Sequence, residues 1–137
     1  MKSKVVYYTK SGNTQKIANA IGEELNIEVS NIDNILNDTV DILFLGASVY
    51  KFGIDKEVLN FIDNLDPNKI GSVVLFSTSA MSDNGYQKLQ KRLNSKNIKV
   101  HSQHFYCKGE FMMLNKNRPN DSDIVQAKEF AKSIVQN

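Results

Sequence analysis

The chain has 137 residues, 41% of them hydrophobic and 23% charged, with seventeen Lys and Arg against fifteen Asp and Glu for a net charge of +2. This length supports one domain with a sizeable core, and the composition sits near globular averages, which excludes intrinsic disorder. No apolar run approaches the roughly 20 residues that span a bilayer, and the basic residues read as dispersed along the chain, so neither a membrane span nor a nucleic-acid footprint is expected.

The first element, Lys4-Val5-Val6-Tyr7-Tyr8, is rich in β-branched and aromatic residues and short enough to be a buried parallel strand. Ile17, Ala18, Ile21 and Leu25 then recur at helical spacing, which predicts a helix starting near Asn13 or Thr14. Ile27 to Asn31 reads as a short strand, and Ile42 to Ala47 as a strand covered on both faces. A loop from Ser48 to Asp55 leads into a helix carrying Val58, Leu59, Ile62 and Leu65, stopped by Asp66-Pro67. Val73 to Phe76 is a second fully apolar strand; it ends in a small-residue loop, Ser77 to Gly85, before a helix through Leu89 and Leu93. Ile98 to Tyr106 reads as the fifth strand and Lys108 to Asn120 as an irregular excursion. Asp121-Ser122-Asp123 opens a final helix with Ile124, Ala127, Phe130, Ala131 and Ile134 on one face. Five strands alternating with helices predict a doubly wound α/β/α sandwich built on a five-stranded parallel sheet. With no repeat, low-complexity tract or linker, residues 1–137 form a single expected domain.

Between the first strand and helix lies Thr9-Lys10-Ser11-Gly12-Asn13-Thr14. Open backbone N–H groups and the positive end of the helix dipole converge there, hydroxyl and amide side chains add donors, and Gly12 permits close approach of a ligand. An ordinary helix cap needs one such residue, whereas here four polar donors surround a glycine. Neither the three-glycine dinucleotide loop nor a P-loop fits the spacing, so the turn reads as a phosphate monoester site. In a doubly wound sheet the ligand lies beyond the carboxyl ends of the strands, where the loops leaving the first, third and fourth strands converge. No catalytic side-chain set is evident, and His101, His104 and Cys107 along one strand do not match zinc-site spacing. The lone Cys107 cannot form an internal disulfide, and Met1-Lys2-Ser3 leads directly into a strand without a secretory segment, so a cytoplasmic location is expected.

The order strand, Thr9-Lys10-Ser11-Gly12-Asn13-Thr14, helix, with Leu45-Gly46-Ala47-Ser48-Val49-Tyr50 further on, resembles the flavodoxins over essentially the whole chain. The resemblance implies a parallel sheet of order 2-1-3-4-5 and noncovalently bound FMN, with Thr9, Ser11, Asn13 and Thr14 on its phosphate and Lys10 and Gly12 in the same loop. It implies that Ser48-Val49-Tyr50-Lys51-Phe52-Gly53 and a second loop of Thr78, Ser79, Ala80, Met81 and Tyr86 enclose the isoalloxazine ring. The chain departs from the family in having no tryptophan, which leaves Tyr50 as the first stacking candidate, Phe52 or Tyr86 next, and Met81 as a cover. For Tyr86 a core-facing first-turn position is an equal alternative.

It departs also in charge: carrier flavodoxins are strongly acidic, whereas here Lys10 and Lys51 lie in the flavin loops, where a cation favours the fully reduced, anionic ring. The implied function is electron shuttling as a monomer between a flavodoxin reductase-type donor and an unidentified acceptor, the partner's contact face being acidic or neutral. Gly46-Ala47-Ser48-Val49-Tyr50 and Phe52-Gly53 are also similar to menaquinone-dependent protoporphyrinogen oxidases, which keeps a quinone or porphyrinogen oxidoreductase open. The segment Phe111-Met112-Met113-Leu114 is the one candidate for that family's extra segment, with covering the flavin loops or packing on the sheet edge as the other readings. A flavin-free phosphate-binding or interaction module is the third reading.

Overall fold

A computed structural model describes residues 1–33, 38–50, 53–79, 85–110 and 115–136, with the backbone alone described at 49 and 50. The elements are β1 (Ser3–Tyr8), α1 (Asn13–Leu25), β2 (Val29–Asn31), β3 (Val40–Tyr50), β4 (Gly53–Ile54), α2 (Lys56–Asp63), a 3-10 turn (Pro67–Lys69), β5 (Ile70–Ser79), α3 (Gly85–Asn94), β6 (Phe105–Lys108) and α4 (Asp121–Gln136). Five strands run parallel in the order β2-β1-β3-β5-β6, and β4 pairs antiparallel with the end of β3. With that two-residue hairpin strand set aside, the order is the 2-1-3-4-5 arrangement expected from the sequence.

The continuously apolar strands are explained by what covers them. Along β3, Ile42 and Phe44 join the core under α1 and α4, while Leu43 and Leu45 join the core under α2 and α3. Along β5, Val74 and Phe76 face the first core and Val73 and Leu75 the second. Alternation sends successive side chains to opposite faces, so a strand helix-covered on both sides must be apolar throughout. The helices bury the stripes that their spacing predicts: Ile17, Ala18 and Ile21 from α1, Val58 and Ile62 from α2, Leu89 and Leu93 from α3. Where β3 meets β5, Gly46 leaves room for the Phe76 ring, whose atoms lie 2.1 Å from where a Cβ would stand. Any larger residue there would displace a fully buried aromatic.

The element boundaries differ from the sequence expectation in three places. β3 and β5 run further, to Tyr50 and Ser79, because the polar residues Ser48 and Ser77–Ser79 stay on the ladder, with Ser48 paired to Thr78. Helix α1 starts at Asn13, within the expected pair. The edge strand is not the continuous Ile98–Tyr106 segment: a single bridge joins Val100 to Val73, and regular pairing resumes only over Phe105–Lys108. Between them a turn in which the Gln103 N–H donates to His101 Nδ1 lifts the chain off the edge. Helix α4 begins at Asp121, as expected. Its first turn is fastened reciprocally, Asp123 N–H donating to Asn120 Oδ1 at 3.0 Å and Asn120 N–H to Asp123 Oδ2 at 2.8 Å. Arg118 grips the same carboxylate with two contacts of 2.6 and 2.7 Å.

Candidate functional site

The carboxyl ends of β1, β3 and β5 lie side by side, Tyr8 opposite Ala47, Ala47 opposite Ser77, and Ser48 opposite Thr78. The loop leaving β1 enters α1 through Gly12, whose φ of +91° is left-handed and natural only to glycine. A Cβ there would meet nothing, so glycine is required by the backbone and not by crowding. Gly12 is the N-cap of α1 and supplies no side-chain cap. The loop closes on itself through Gly12 N–H donating to Thr9 Oγ1 at 2.9 Å, and Lys16 N–H reaches back to the Gly12 carbonyl at 3.2 Å. The N–H groups of Thr14 and Gln15 have no hydrogen-bond partner among the described residues. No acidic side chain occupies this first turn. These open amides, with the dipole of a thirteen-residue helix behind them, make a site of positive potential.

Thr14 is fully buried, and its hydroxyl lies 2.8 Å from Ser48 Oγ and 2.9 Å from Thr78 Oγ1, with Ser48 and Thr78 3.5 Å apart. One hydroxyl each from the first turn of α1 and the ends of β3 and β5 thus meets in a buried triangle. Three hydroxyls bring three hydrogens, and the two short contacts use two of them, so one O–H remains to donate across the long edge or outward.

The remaining sequence-predicted residues distribute around this point. Ser11 is exposed, with its Oγ accepting from Asn13 N–H at 3.5 Å. The Asn13 side chain donates instead to the Glu110 carbonyl at 2.9 Å, and Gly109 N–H donates to the Ser79 carbonyl at 3.1 Å. The start of the excursion after β6 therefore lies against the Thr9–Thr14 turn and the end of β5. Lys10 forms an ion pair with Asp55 at 3.1 Å across to the junction of β4 and α2. Asp55 Oδ2 is buried with no hydrogen-bond partner among the described residues. The sequence reading placed Lys10 with Lys51 in the flavin loops and Asp55 only at a loop end. Forty-five residues separate the two, and no local pattern joins them.

The second loop divides. Tyr86 turns to the core side: its ring stacks on His104 with centroids 4.0 Å apart, and its hydroxyl donates to the His101 carbonyl at 3.0 Å. Ser48, Val49 and Tyr50 are not loop residues but the end of β3, and Gly53 opens β4, paired as Val49 to Ile54 and Tyr50 to Gly53. The Tyr50 side chain, Lys51, Phe52, Ala80, Met81 and Phe111 to Leu114 lie outside the described residues.

Cys107 is buried, and burial pushes its thiol up to about 12, with the Asp123 carboxylate adding to the shift. At neutral pH it is a small apolar residue and no nucleophile. Burial alone would raise the Asp123 carboxyl, but the Arg118 guanidinium and the Asn120 N–H outweigh it and hold the group below the usual carboxylate range. Among the described residues no cluster of His, Cys, Asp and Glu could hold a metal ion, and no helix is long and apolar enough to cross a membrane.

The basic residues are not evenly dispersed, contrary to the sequence reading. Residues 84–109 carry six Lys and Arg and no acid, whereas the rest of the chain carries eleven against fifteen acids. Counting over the whole chain hid this because the two parts nearly cancel.

Residues 4–115 match the flavodoxin domain family. An uncharacterised protein of Methanocaldococcus jannaschii is 35% identical over 153 aligned positions that take in all of both chains. A flavodoxin-like domain-containing protein, BilS of Clostridioides difficile, is 34% identical over 62% of this chain and 51% of its own length. Among solved structures, a flavodoxin from the domain Archaea superposes with a TM-score of 0.80 at 18% identity, over 99% of this chain and 97% of its own. Oxidised flavodoxin 2 from Bacillus cereus superposes with a TM-score of 0.73 at 19% identity, over 99% of both. The parallel sheet in 2-1-3-4-5 order, the Gly12 turn at its carboxyl edge and the family match across residues 4–115 lead to one assignment: the chain belongs to the flavodoxin family.

Proposed function

We infer that the protein binds FMN and passes electrons between redox partners. The observation that carries this reading is the open turn at the start of α1, where the unpartnered N–H groups of Thr14 and Gln15 face a loop with no acid in it. The donor chemistry fits a phosphate monoester. Amides, the exposed Ser11 hydroxyl and the spare hydrogen of the Thr14, Ser48 and Thr78 triangle all donate, and a dianion accepts at three oxygens.

In this reading Thr9 and Gly12 shape the cradle, Ser11 and the backbone N–H groups of Thr14 and Gln15 donate to the phosphate, and the Lys10–Asp55 pair closes its rim. The Asn13 side chain works indirectly, holding the Glu110 backbone over the loop. The hairpin from Ser48 to Gly53, with Tyr50, Lys51 and Phe52, and the segment following Ser79 enclose the ring. When bound, FMN supplies one- and two-electron redox chemistry, and the protein supplies binding, ring electronics and partner access.

The test is reconstitution. Purified protein mixed with FMN is expected to turn yellow after desalting, to bleach on chemical reduction, and to pass electrons to a second redox protein. A protein that FMN does not colour supports a flavin-free phosphate-binding module instead. Multiple turnovers of a quinone or porphyrinogen by the protein alone support the oxidoreductase reading.

A further inference from the structure

Helix α3 presents a row of cations beside the hairpin that follows β3. Lys88, Lys91 and Arg92 from α3, with Ser95 just beyond its end, form one wall of an open groove of about 360 Å³, with Ile54 of β4 and Leu59 of α2 as its apolar wall. Arg92 is held by Asp63 of α2, which accepts from two of its three guanidinium nitrogens and also from Lys96 at its carbonyl. Lys88 and Lys91 are exposed and have no ion-pair partner among the described residues. The α3 side of the groove lies within the acid-free segment 84–109, and Asp63 on the α2 side is taken up by Arg92, so Lys88 and Lys91 carry the unbalanced charge. One end of the groove is β4, which is paired with β3 at Val49 and Tyr50, next to the hairpin assigned above to the flavin ring.

We propose that this groove is the docking surface for the acidic face of a redox partner protein, resting on the electron-carrier reading. Charge complementarity selects the occupant: the two unneutralised lysines, Lys88 and Lys91, attract carboxylates. The apolar wall of Ile54 and Leu59 offers a dry centre inside that charged rim, the usual anatomy of a protein contact. The open shape favours a convex protein surface over a small enclosed ligand. Arg92, already oriented by Asp63, gives a directional contact at low cost in side-chain ordering, while Lys88 and Lys91 steer the encounter.

The test uses two forms of one probe, cytochrome c with its lysines succinylated and the same cytochrome unmodified, which share a fold and differ in the sign of their charge. Binding is measured by calorimetry to both the apo and FMN-treated protein, with FMN uptake scored separately by colour. The succinylated form is expected to bind tighter than the unmodified form, with an affinity that falls as salt rises. Charge reversal at Lys88→Glu with Lys91→Glu is expected to lower that affinity about tenfold or more, while FMN uptake stays unchanged. A control of equal net charge, Lys116→Glu with Lys132→Glu, is expected to change it no more than about threefold. Retained affinity in the groove variant, or equal loss in the control, would overturn the proposal. Displacement of the cytochrome by citrate or phosphate beyond an ionic-strength effect would overturn it in favour of a small-anion site. Equal binding of a single-stranded oligonucleotide would overturn it in favour of a nucleic-acid surface. A chain that binds the succinylated probe through the groove yet takes up no FMN would defeat the carrier reading alone.

Discussion

Thr14→Val tests whether the first turn of α1 and the ends of β3 and β5 are knit through their hydroxyls. Valine keeps the branched shape of the threonine and deletes only the oxygen that meets Ser48 at 2.8 Å and Thr78 at 2.9 Å. Each buried hydrogen bond contributes about 0.5–1.5 kcal/mol net, so losing two costs about 1–3 kcal/mol. Ser48 and Thr78, 3.5 Å apart, can close on each other and recover part of that loss, which leaves about 1–2 kcal/mol. For a chain of this size that corresponds to a fall in Tm of roughly 3–7 °C. The assay is urea and thermal unfolding of the apoprotein followed by far-UV circular dichroism, with Ser11→Ala as the comparison. Ser11 is exposed, so its truncation is expected to leave apoprotein stability within about 0.5 kcal/mol while weakening FMN roughly tenfold or more. A Thr14→Val apoprotein as stable as the parent would refute the buried triangle.

Three further outcomes follow from the same coordinates. The Lys10–Asp55 pair predicts opposite shifts in the midpoint potential of bound FMN, negative for Lys10→Gln and positive for Asp55→Asn, each on the order of 30 mV for a two-electron couple, and identical potentials in a redox titration would remove Lys10 from the ring's environment. Cys107, with its thiol at about 12, is expected to resist thiol reagents at pH 8 and to react only on unfolding, and prompt labelling of the native protein would contradict its burial. Asp123→Asn loses the Arg118 clamp and weakens the Asn120 cap for about 2 kcal/mol. Because its folded pKa is depressed, the stability Asp123 contributes is present above the ordinary carboxylate range and lost as pH falls through the lowered value. A variant whose acid-unfolding curve matches the parent's would contradict that contribution.

The fold was legible where residues are buried on both faces. Leu43-Phe44-Leu45 and Val73-Val74-Leu75-Phe76 could only be central strands, and Ile17, Ala18 and Ile21 could only be one helical face. It was illegible where backbone pairing and side-chain polarity diverge. Ser48 and Ser77–Ser79 look like loop residues yet extend β3 and β5 while buried, Ser48 and Thr78 finding a hydroxyl partner in Thr14 at the strand ends. Strand β4 is too short to leave a pattern, and the edge strand breaks at a turn closed by His101 that no periodicity marks. For the site, the turn from Thr9 to Thr14 stood out because it gathers donors around a glycine. What each donor does depended on contacts far away in sequence, Asn13 with Glu110, Thr14 with Ser48 and Thr78, and Lys10 with Asp55.

The affinity of FMN against that of riboflavin, measured side by side on the apoprotein by calorimetry, tests the central claim most directly. The two ligands share the ring and ribityl chain and differ only in the phosphate. Charge-assisted hydrogen bonds are worth about 1.5–3 kcal/mol each, so two such bonds at the open turn predict that FMN binds at least about a hundredfold tighter. Ser11→Ala is expected to narrow that ratio without weakening riboflavin. Equal affinities for the two flavins, or a ratio indifferent to Ser11, would contradict the assignment of the turn at Gly12 as the phosphate site.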